Sequence, residues 1–243
     1  MPDINDRPGA VSVEVLLAEF DRRKGHFDDL RRKTKSLMEE ILAVKQVKYH
    51  SVQSRVKDRI NLESKYCSRD KDYICLSDIP DIVGIRIITY YADAVDQVKN
   101  IILREFSLIG QIDDKRLAKA NEFGYSAVHL DCTYSTARCS ATEYARFANI
   151  RFEIQITTIL GHAWAEIHHE WYDRRSSSRP EEERSLNRLA ALLELADQEF
   201  GQIRKKKVER EKLTSVRRNL LNPADPQEIE DELWNDLSMP SEE

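Results

Sequence analysis

Four segments of this 243-residue chain carry polar side chains at alternate positions, as one face of a β-strand would. These side chains are Arg55 and Lys57, Arg86, Tyr125 and His129, and Glu153 and Gln155. Cations neutralise phosphates, carboxylates hold Mg²⁺, and aromatic rings or guanidinium planes stack on a nucleobase. The combination therefore predicts a site for a polyphosphate ester and a metal ion.

Glycine-rich phosphate-binding sequences are missing from the chain. It has only seven glycines, and neither GxGxxG nor GxxxxGK[ST] occurs. A loop of backbone amides is thus not expected to cradle a phosphate. We expect side chains to grip any triphosphate that binds.

Hydrophobic periodicity predicts the elements that position these side chains. Helices are predicted over residues 12–24, 27–48, 59–67, 94–106 and 161–172, and from about residue 181 onward. Strands are predicted over residues 49–57, 81–91, 124–134 and 150–157. Gly25 is expected to separate the first two helices, and the helix over residues 59–67 carries Lys65.

The position of Asp81 raises a question of parity. Asp81 and Arg86 are five residues apart, so they would face opposite sides of an ideal strand. We therefore expect Asp81 to lie in the turn after Pro80, or a β-bulge near Gly84.

The C-terminal region combines an apolar stripe with an acidic tail. The stripe residues recur at alternate spacings of three and four and are Leu186, Leu189, Leu193, Ala196, Phe200 and Ile203. Such a stripe predicts a helix that docks on the main domain rather than a coiled-coil dimer. From residue 222 onward the tail has no lysine or arginine, and we hypothesise that it lies over the cationic groove and restrains activity.

The composition, 41% hydrophobic and 33% charged, allows one substantial core with a helical appendage. The tail contributes −8 to a net charge of −5, which leaves +3 for the remainder and suits an anionic nucleotide. We find no signal-peptide layout and no apolar run of about 18 residues, so we expect a cytoplasmic protein. The four cysteines form no CxxC pair and are expected to be reduced thiols.

Domain boundaries follow from the predicted elements. We expect N-terminal helices over residues 1–48, a core over residues 49–175, a C-terminal helix over residues 181–214 and a mobile acidic tail over residues 215–243.

Four motifs in this order resemble the synthetase domain of the RelA/SpoT family: RVKDRINLESK, DIVGIRI, GYSAVH and FEIQITTILGHAWAEIHH. That family transfers pyrophosphate from ATP to the 3′-hydroxyl of GDP or GTP, which makes the alarmones (p)ppGpp. The resemblance extends over residues 30–205, and the chain looks like a small stand-alone synthetase or a related toxin-type member. It implies an α/β (α+β) fold with a nucleotidyltransferase-like mixed sheet of about five strands flanked by helices, N-terminal helices and a long C-terminal helix.

The resemblance also implies how ATP is bound. Arg55 and Arg86 would sandwich the adenine, and Lys57 and Lys65 would contact the phosphates. These four cations are all present, so the donor side of the family pattern is complete.

Catalytic and acceptor roles follow from the same resemblance. Asp81 would ligate Mg²⁺, and Glu153 would complete that ligation or activate the attacking 3′-hydroxyl. Tyr125 would stack on the guanine. The other residues expected on the acceptor side are His129, Gln155 and His162.

Three departures from the family pattern lie near the acceptor. The family commonly has an arginine where this chain has Thr157, and an arginine often follows the tyrosine of GY, where Ser126 stands. A basic residue usually precedes GY, where this chain has Asn121 and Glu122. Each change forfeits charge-assisted contacts worth about 1.5–3 kcal/mol. The nearest replacements are Lys115, Arg116 and Lys119.

Three functional hypotheses remain open on these residues. The first is pyrophosphate transfer to GDP or GTP. The second is transfer to the 3′ end of tRNA, as in toxin members of the family, because the lost cations resemble their pattern. The third is a catalytically silent nucleotide-sensing module, against which the Asp81 and Glu153 pair argues. A homo-oligomer and a neutralising protein partner also stay open.

The helix GHAWAEIHHEWY allows a second interpretation. His162, Glu166 and His169 fall on one stripe, at a spacing that can bind a metal. The segment does not match HExxH, so we favour residues that hydrogen-bond in the wall of the site.

Overall fold

The computed structural model describes residues 8–68, 72–114, 116, 127–172 and 180–221, which form seven helices and six strands. The helices are α1 Val13–Val44, α2 Arg59–Tyr66, α3 Ala92–Glu105, α4 Thr136–Cys139, α5 Thr142–Ala145, α6 Ile159–Tyr172 and α7 Pro180–Leu221. The strands are β1 Tyr49–Val56, β2 Val83–Thr89, β3 Phe106–Leu108, β4 Asp113–Asp114, β5 Ala127–Tyr134 and β6 Phe152–Thr158. Two single-turn 3₁₀ helices, Leu76–Asp78 and Pro80–Ile82, precede β2.

The strands form one mixed sheet in the order β1-β2-β6-β5-β3, with β4 also paired to β5. Strands β2 and β6 are parallel, and the other pairs are antiparallel. The predicted mixed sheet flanked by helices, with a long C-terminal helix, is therefore confirmed. The sequence did not predict β3 and β4, because two or three residues are too few to show a period of two.

One face of the sheet carries the hydrophobic core. Alternate strand residues such as Val52, Ile85, Leu130 and Ile154 are buried together with the apolar residues of α1 and α3. Burial of each such side chain contributes about 1.5–3 kcal/mol relative to exposure. The helices thus cover this face and leave the polar side chains on the opposite face.

Helix α1 is continuous, so the predicted break at Gly25 is wrong. The side chain of Ser12 caps the first turn by accepting from the backbone of Val15 at 3.4 Å. Phe20 and Phe27 lie on either side of the glycine, both are buried, and their rings stack at 6.0 Å. A glycine inside a helix costs about 0.5–1 kcal/mol relative to alanine. Burial of this continuous apolar stripe outweighs that cost.

Asp81 lies in the 3₁₀ turn that begins at Pro80, which confirms the expected turn. Its backbone has φ −97° and ψ 25°, outside both the helical and the extended region. The pairing of β1 with β2 is regular through Gly84, and the one irregularity in it lies between Tyr49 and Ser51. A bulge near Gly84 is therefore not needed to explain how Asp81 and Arg86, five residues apart, both reach the same pocket.

Helix α7 passes from a first unit, Met1–Gln198, into a second, Glu199–Glu243, of which the structure describes residues 199–221. In the first unit Ala190 is buried, but Leu189 is 53% exposed. In the second unit Phe200 and Ile203 are more than half exposed. The prediction that the whole stripe docks on the main domain is therefore wrong for Leu189, and the acidic segment from residue 222 onward lies outside the described residues.

Within the described ranges, none of the helices combines the length and the apolar character needed to cross a bilayer.

Candidate active site

The register of the sheet collects predicted site residues from several strands in a transverse row. Arg86 on β2 lies opposite Gln53 on β1 and Gln155 on β6. Gln155 in turn lies opposite His129 on β5. Residues paired in this way share one face of the sheet, so these four side chains project to the same side.

A second row lies two residues along the strands. Gly84 on β2 is opposite Arg55 on β1 and Glu153 on β6, and Glu153 is opposite Asp131 on β5. Gly84 has no side chain, and Arg55 passes close to it, with Cγ at 3.7 Å from the place a Cβ would take. The middle of this row is therefore open above the backbone.

A pocket of about 190 Å³ occupies this opening. Five of the predicted residues line it: Arg55, Asp81, Arg86, Glu153 and Gln155. Two further lining residues are Gln53, which the sequence did not single out, and Glu166, which it favoured as a hydrogen-bonding residue of the site wall. The structure thus brings three carboxylates and two guanidinium groups to one cavity.

Asp81 is held as a carboxylate by two lysines. Nζ of Lys57 lies 2.8 Å and Nζ of Lys65 lies 2.9 Å from its Oδ2. Burial opposes ionisation of Asp81, but these two ammonium groups outweigh it and lower its pKa. Its other oxygen, Oδ1, is buried and has no hydrogen-bond partner among the described residues. One carboxylate oxygen is therefore fixed and the other is available to a ligand.

Glu153 is also kept ionised, although it is largely buried. Nδ1 of His129 lies 3.4 Å from its Oε1, and the amide of Gln155 donates to its Oε2. Burial raises the pKa of Glu153 and the negative charge of Asp81 raises it further, but the contacts with His129 and Gln155 give a net lowering. A carboxylate in this state can accept a proton or bind a cation.

Arg86 is fixed by contacts from β6 and α6. Its Nε donates to Oε1 of Gln155 at 3.3 Å, and its Nη1 donates to Oε1 of Glu166 at 2.5 Å. Nη1 also lies 3.2 Å from Nδ1 of His162, whose pKa is lowered by burial and by the Arg86 charge. His162 was expected on the acceptor side, but this contact joins it to the predicted donor set.

Asp81 and Glu153 are the two carboxylates for which the sequence predicted a metal-binding role. Among the described residues no three His, Cys, Asp or Glu side chains converge as a metal site. Mg²⁺ commonly takes one or two carboxylates, with substrate phosphates and waters as its other ligands. The partnerless Oδ1 of Asp81, on a side chain that lines the same pocket as Glu153, fits that pattern.

The acceptor side is only partly described. Tyr125, Lys115 and Lys119 lie outside the described residues. Thr157, which stands where the family has an arginine, is 1% exposed. It lies opposite Ile88 and Ala127, which are also buried, so this end of the face carries no charged side chain at these three positions and is covered by other residues.

Arg116 is not available as a replacement cation. Its Nη2 lies 2.8 Å from Asp96 and 2.7 Å from Asp114. Lys99 lies 2.9 Å from the same Asp96, so two cations and two carboxylates compensate each other. The expectation that Arg116 substitutes for a lost acceptor cation is therefore wrong.

Tyr73 is a further neighbour of the site that the sequence did not single out. The centre of its ring lies 6.0 Å from Nζ of Lys65, within the range of a cation–π contact. It belongs to the polar link before β2, where no periodicity indicates which side chains turn inward.

The segment that builds this sheet and pocket matches a known protein family. The region found in RelA and SpoT proteins matches residues 54–177, which is half of the chain, and the chain belongs to this family.

The sequence identity to a characterised relative is low. GTP pyrophosphokinase YjbM of Bacillus subtilis (strain 168) is 28% identical over 132 residues, which cover 53% of this chain and 59% of that relative. The chain thus spans less than two thirds of the relative's length.

Among solved structures, small alarmone synthetase 1 of Bacillus subtilis aligns with 79% of this chain and 98% of its own, at 22% identity and a TM-score of 0.66. A GTP pyrophosphokinase family protein of Streptococcus pneumoniae covers 84% of this chain and 98% of its own, at 26% identity and a TM-score of 0.60.

Proposed function

We propose that this chain is an ATP-dependent pyrophosphokinase that transfers the β,γ-pyrophosphate of ATP to the 3′-hydroxyl of GDP or GTP and so makes (p)ppGpp. The main observation that supports this proposal is that Asp81 and Glu153, which are distant in sequence, line one pocket together with Arg55 and Arg86. Membership of the RelA/SpoT family supports the proposal. So does the name GTP pyrophosphokinase of the curated relative.

On the donor side, the adenine lies between the guanidinium groups of Arg55 and Arg86. Guanidinium planes stack well on aromatic rings, and both side chains border the open space above Gly84. Lys57 and Lys65 then meet the phosphates. Both lysines already lie within 3 Å of Asp81, so they concentrate positive charge beside the pocket.

Mg²⁺ is the cofactor in this proposal, and Asp81 would hold it, while Glu153 would either complete that ligation or act as the base described below. When bound it supplies charge neutralisation for the pyrophosphoryl group. The two lysines on Oδ2 of Asp81 keep that carboxylate ionised and leave Oδ1 to the ion.

Glu153 takes the proton of the acceptor 3′-hydroxyl. The 3′-oxygen then attacks the β-phosphorus of ATP, and the bond between that phosphorus and the oxygen bridging it to the α-phosphate breaks. AMP leaves with that electron pair, and Glu153 returns its proton to water. General base catalysis of this kind contributes about 10²–10⁴-fold to the rate. His129 and Gln155 hold the carboxylate ionised for this step.

The acceptor nucleoside lies over β5 and β6 in this proposal. Tyr125 stacks on its guanine, and His129 and Gln155 line its ribose. Lys115 and Lys119 are the cations left for its 5′-phosphates, since Arg116 is already engaged by two carboxylates.

A second candidate acceptor is the 3′ end of tRNA. The observation that favours it is that Thr157 stands where the family commonly has an arginine, and its buried neighbours Ile88 and Ala127 supply no replacement cation. An acceptor without a 5′-polyphosphate at that place forfeits no charge-assisted contact there.

The test is an acceptor survey. The chain is incubated with Mg²⁺, γ-labelled ATP and one acceptor at a time: GDP, GTP, an adenosine nucleotide or bulk tRNA. Label in guanosine penta- or tetraphosphate supports the main proposal, and label in RNA selects the second candidate. If the sample binds ATP but transfers label to none of the acceptors, the result selects the hypothesis of a nucleotide-sensing module. Asp81→Asn is the control and should remove all transfer.

A further inference from the structure

Glu166 belongs to the donor pocket, although nothing in the proposed reaction uses it. It lies on α6, eleven residues after the last site residue of β6, Gln155. It lines the same cavity as Arg55 and Arg86. Its side chain is 61% exposed, so it stands at the rim of the pocket rather than on the floor.

The carboxylate of Glu166 is held at a defined place. Its Oε1 accepts from Nη1 of Arg86 at 2.5 Å and lies 3.7 Å from Nδ1 of His162, one helical turn before it. A guanidinium donates in its own plane. The carboxylate therefore stands beside the Arg86 guanidinium and not above the face on which a base would stack.

The second oxygen of this carboxylate is available. Oε2 of Glu166 makes no hydrogen bond within the described part of the chain, and the rim position exposes it to a ligand in the pocket. Burial opposes ionisation of Glu166, but the contact with Arg86 prevails and lowers its pKa. At neutral pH the group is an acceptor only.

We propose that Glu166 selects the base of the nucleotide donor, by accepting a hydrogen bond from an exocyclic amino group and repelling a carbonyl oxygen at the same position. Adenine carries an amino group at position 6, whereas guanine and hypoxanthine carry a carbonyl oxygen there. The inference rests on the proposed function, because it requires the donor base to stack on Arg86. It adds a specificity-determining residue to that site.

A purely structural role makes a different prediction. If Glu166 only orients Arg86, its loss weakens stacking of every purine by the same factor. If Glu166 reads the base edge, its loss changes the ratio of affinities for 6-amino and 6-oxo purines.

The experiment compares ATP with ITP, which has hypoxanthine in place of adenine, in the full chain with Mg²⁺ and without an acceptor. Dissociation constants are measured calorimetrically for the unmodified chain, for Glu166→Gln and for Glu170→Gln. Glutamine has the size of glutamate, and its amide can donate to a 6-oxo group or accept from a 6-amino group. Glu170→Gln removes one carboxylate from the same helix outside the pocket lining.

We expect the unmodified chain and Glu170→Gln to prefer ATP by about tenfold or more, because a charge-assisted hydrogen bond is replaced by a repulsion. In Glu166→Gln the ratio should fall to within about threefold, with ITP binding more tightly than before. An unchanged ratio in Glu166→Gln, or no preference in the unmodified chain, overturns the inference.

Transfer from ATP, measured on the same samples, separates this inference from the proposed function. If Glu166→Gln leaves the ratio of ATP to ITP affinity unchanged while the unmodified chain transfers pyrophosphate, only the role of Glu166 is contradicted. Failure of the unmodified chain to bind either nucleotide removes the donor pocket, and with it both proposals.

Discussion

Gly84 and Glu153 lie directly opposite one another on the parallel strands β2 and β6, and both line the pocket. A glycine at this place keeps the space beside the Glu153 carboxylate open. A Cβ on residue 84 would have only Cγ and Nε of Arg55 within 4 Å, at 3.7 and 4.0 Å, which are ordinary contacts. The position is therefore tolerant of a methyl group as far as folding is concerned, but it borders the space assigned to the donor.

Gly84→Val should lower ATP affinity while Gly84→Ala leaves the fold intact. The valine branches project into the pocket and compete with the ligand, at a cost of about 1–3 kcal/mol, roughly tenfold or more in the dissociation constant. Calorimetric titration of ATP measures the affinity, and thermal melting checks the fold. Binding by a folded Gly84→Val variant equal to that of the unmodified chain would remove Gly84 from the donor site.

Glu153→Gln should abolish transfer and leave ATP binding within a few-fold. Glutamine keeps the size and the contact with Gln155 but cannot take the proton of the 3′-hydroxyl, so a loss of about 10²–10⁴-fold is expected. Initial rates with labelled ATP give the transfer, and titration gives the affinity. The matched control is Glu143→Gln on α5, an exposed carboxylate outside the pocket lining. Near-normal turnover in Glu153→Gln would exclude it as the base.

His129→Ala should move the acidic limb of the pH profile to higher pH. The contact with His129 lowers the pKa of Glu153 against the effect of burial. Without that contact Gln155 alone opposes burial and the charge of Asp81, so the pKa of Glu153 rises. The ionised base is then lost at a higher pH as the solution is acidified. The measurement is kcat/KM against pH, which reports the free enzyme.

His129→Asn supplies the control for this effect. The asparagine amide can donate from about the position of Nδ1, so the profile should return toward that of the unmodified chain. If His129→Ala only raises the KM for the acceptor and leaves the acidic limb in place, the histidine binds substrate without holding Glu153.

Alternation within single strands was sufficient to predict part of this site. Glu153 and Gln155 are two residues apart on β6, so a period of two places both on one face whatever lies beside them. The turn at Asp81 followed from the same reasoning, because Pro80 limits the preceding conformation. Local rules thus predicted which side chains point to the site within each segment.

Contacts between elements were beyond the reach of the same rules. The parallel pairing of β2 with β6, which puts Gly84 opposite Glu153, depends on packing between segments nearly 70 residues apart. Arg116 was expected beside the acceptor, but Asp96 on α3 and Asp114 on β4 hold it away from that role. His162 was expected on the acceptor side and contacts Arg86 for a comparable reason, since α6 brings it there. The charges in the sequence do not by themselves predict which side chains form ion pairs or hydrogen bonds in the fold.

Gly25→Ala should raise the free energy of unfolding by about 0.5–1 kcal/mol. The glycine lies inside the continuous helix α1, it is exposed, and a Cβ there would meet no atom within 4 Å. Alanine therefore gains helix propensity without a clash, mainly by reducing the conformational entropy of the unfolded chain. Urea denaturation of both chains gives the difference. Gly25→Pro is the opposing control, because it removes a backbone hydrogen bond and should cost about 3 kcal/mol. A destabilised Gly25→Ala variant would mean that α1 bends or breaks at this residue, as its sequence first suggested.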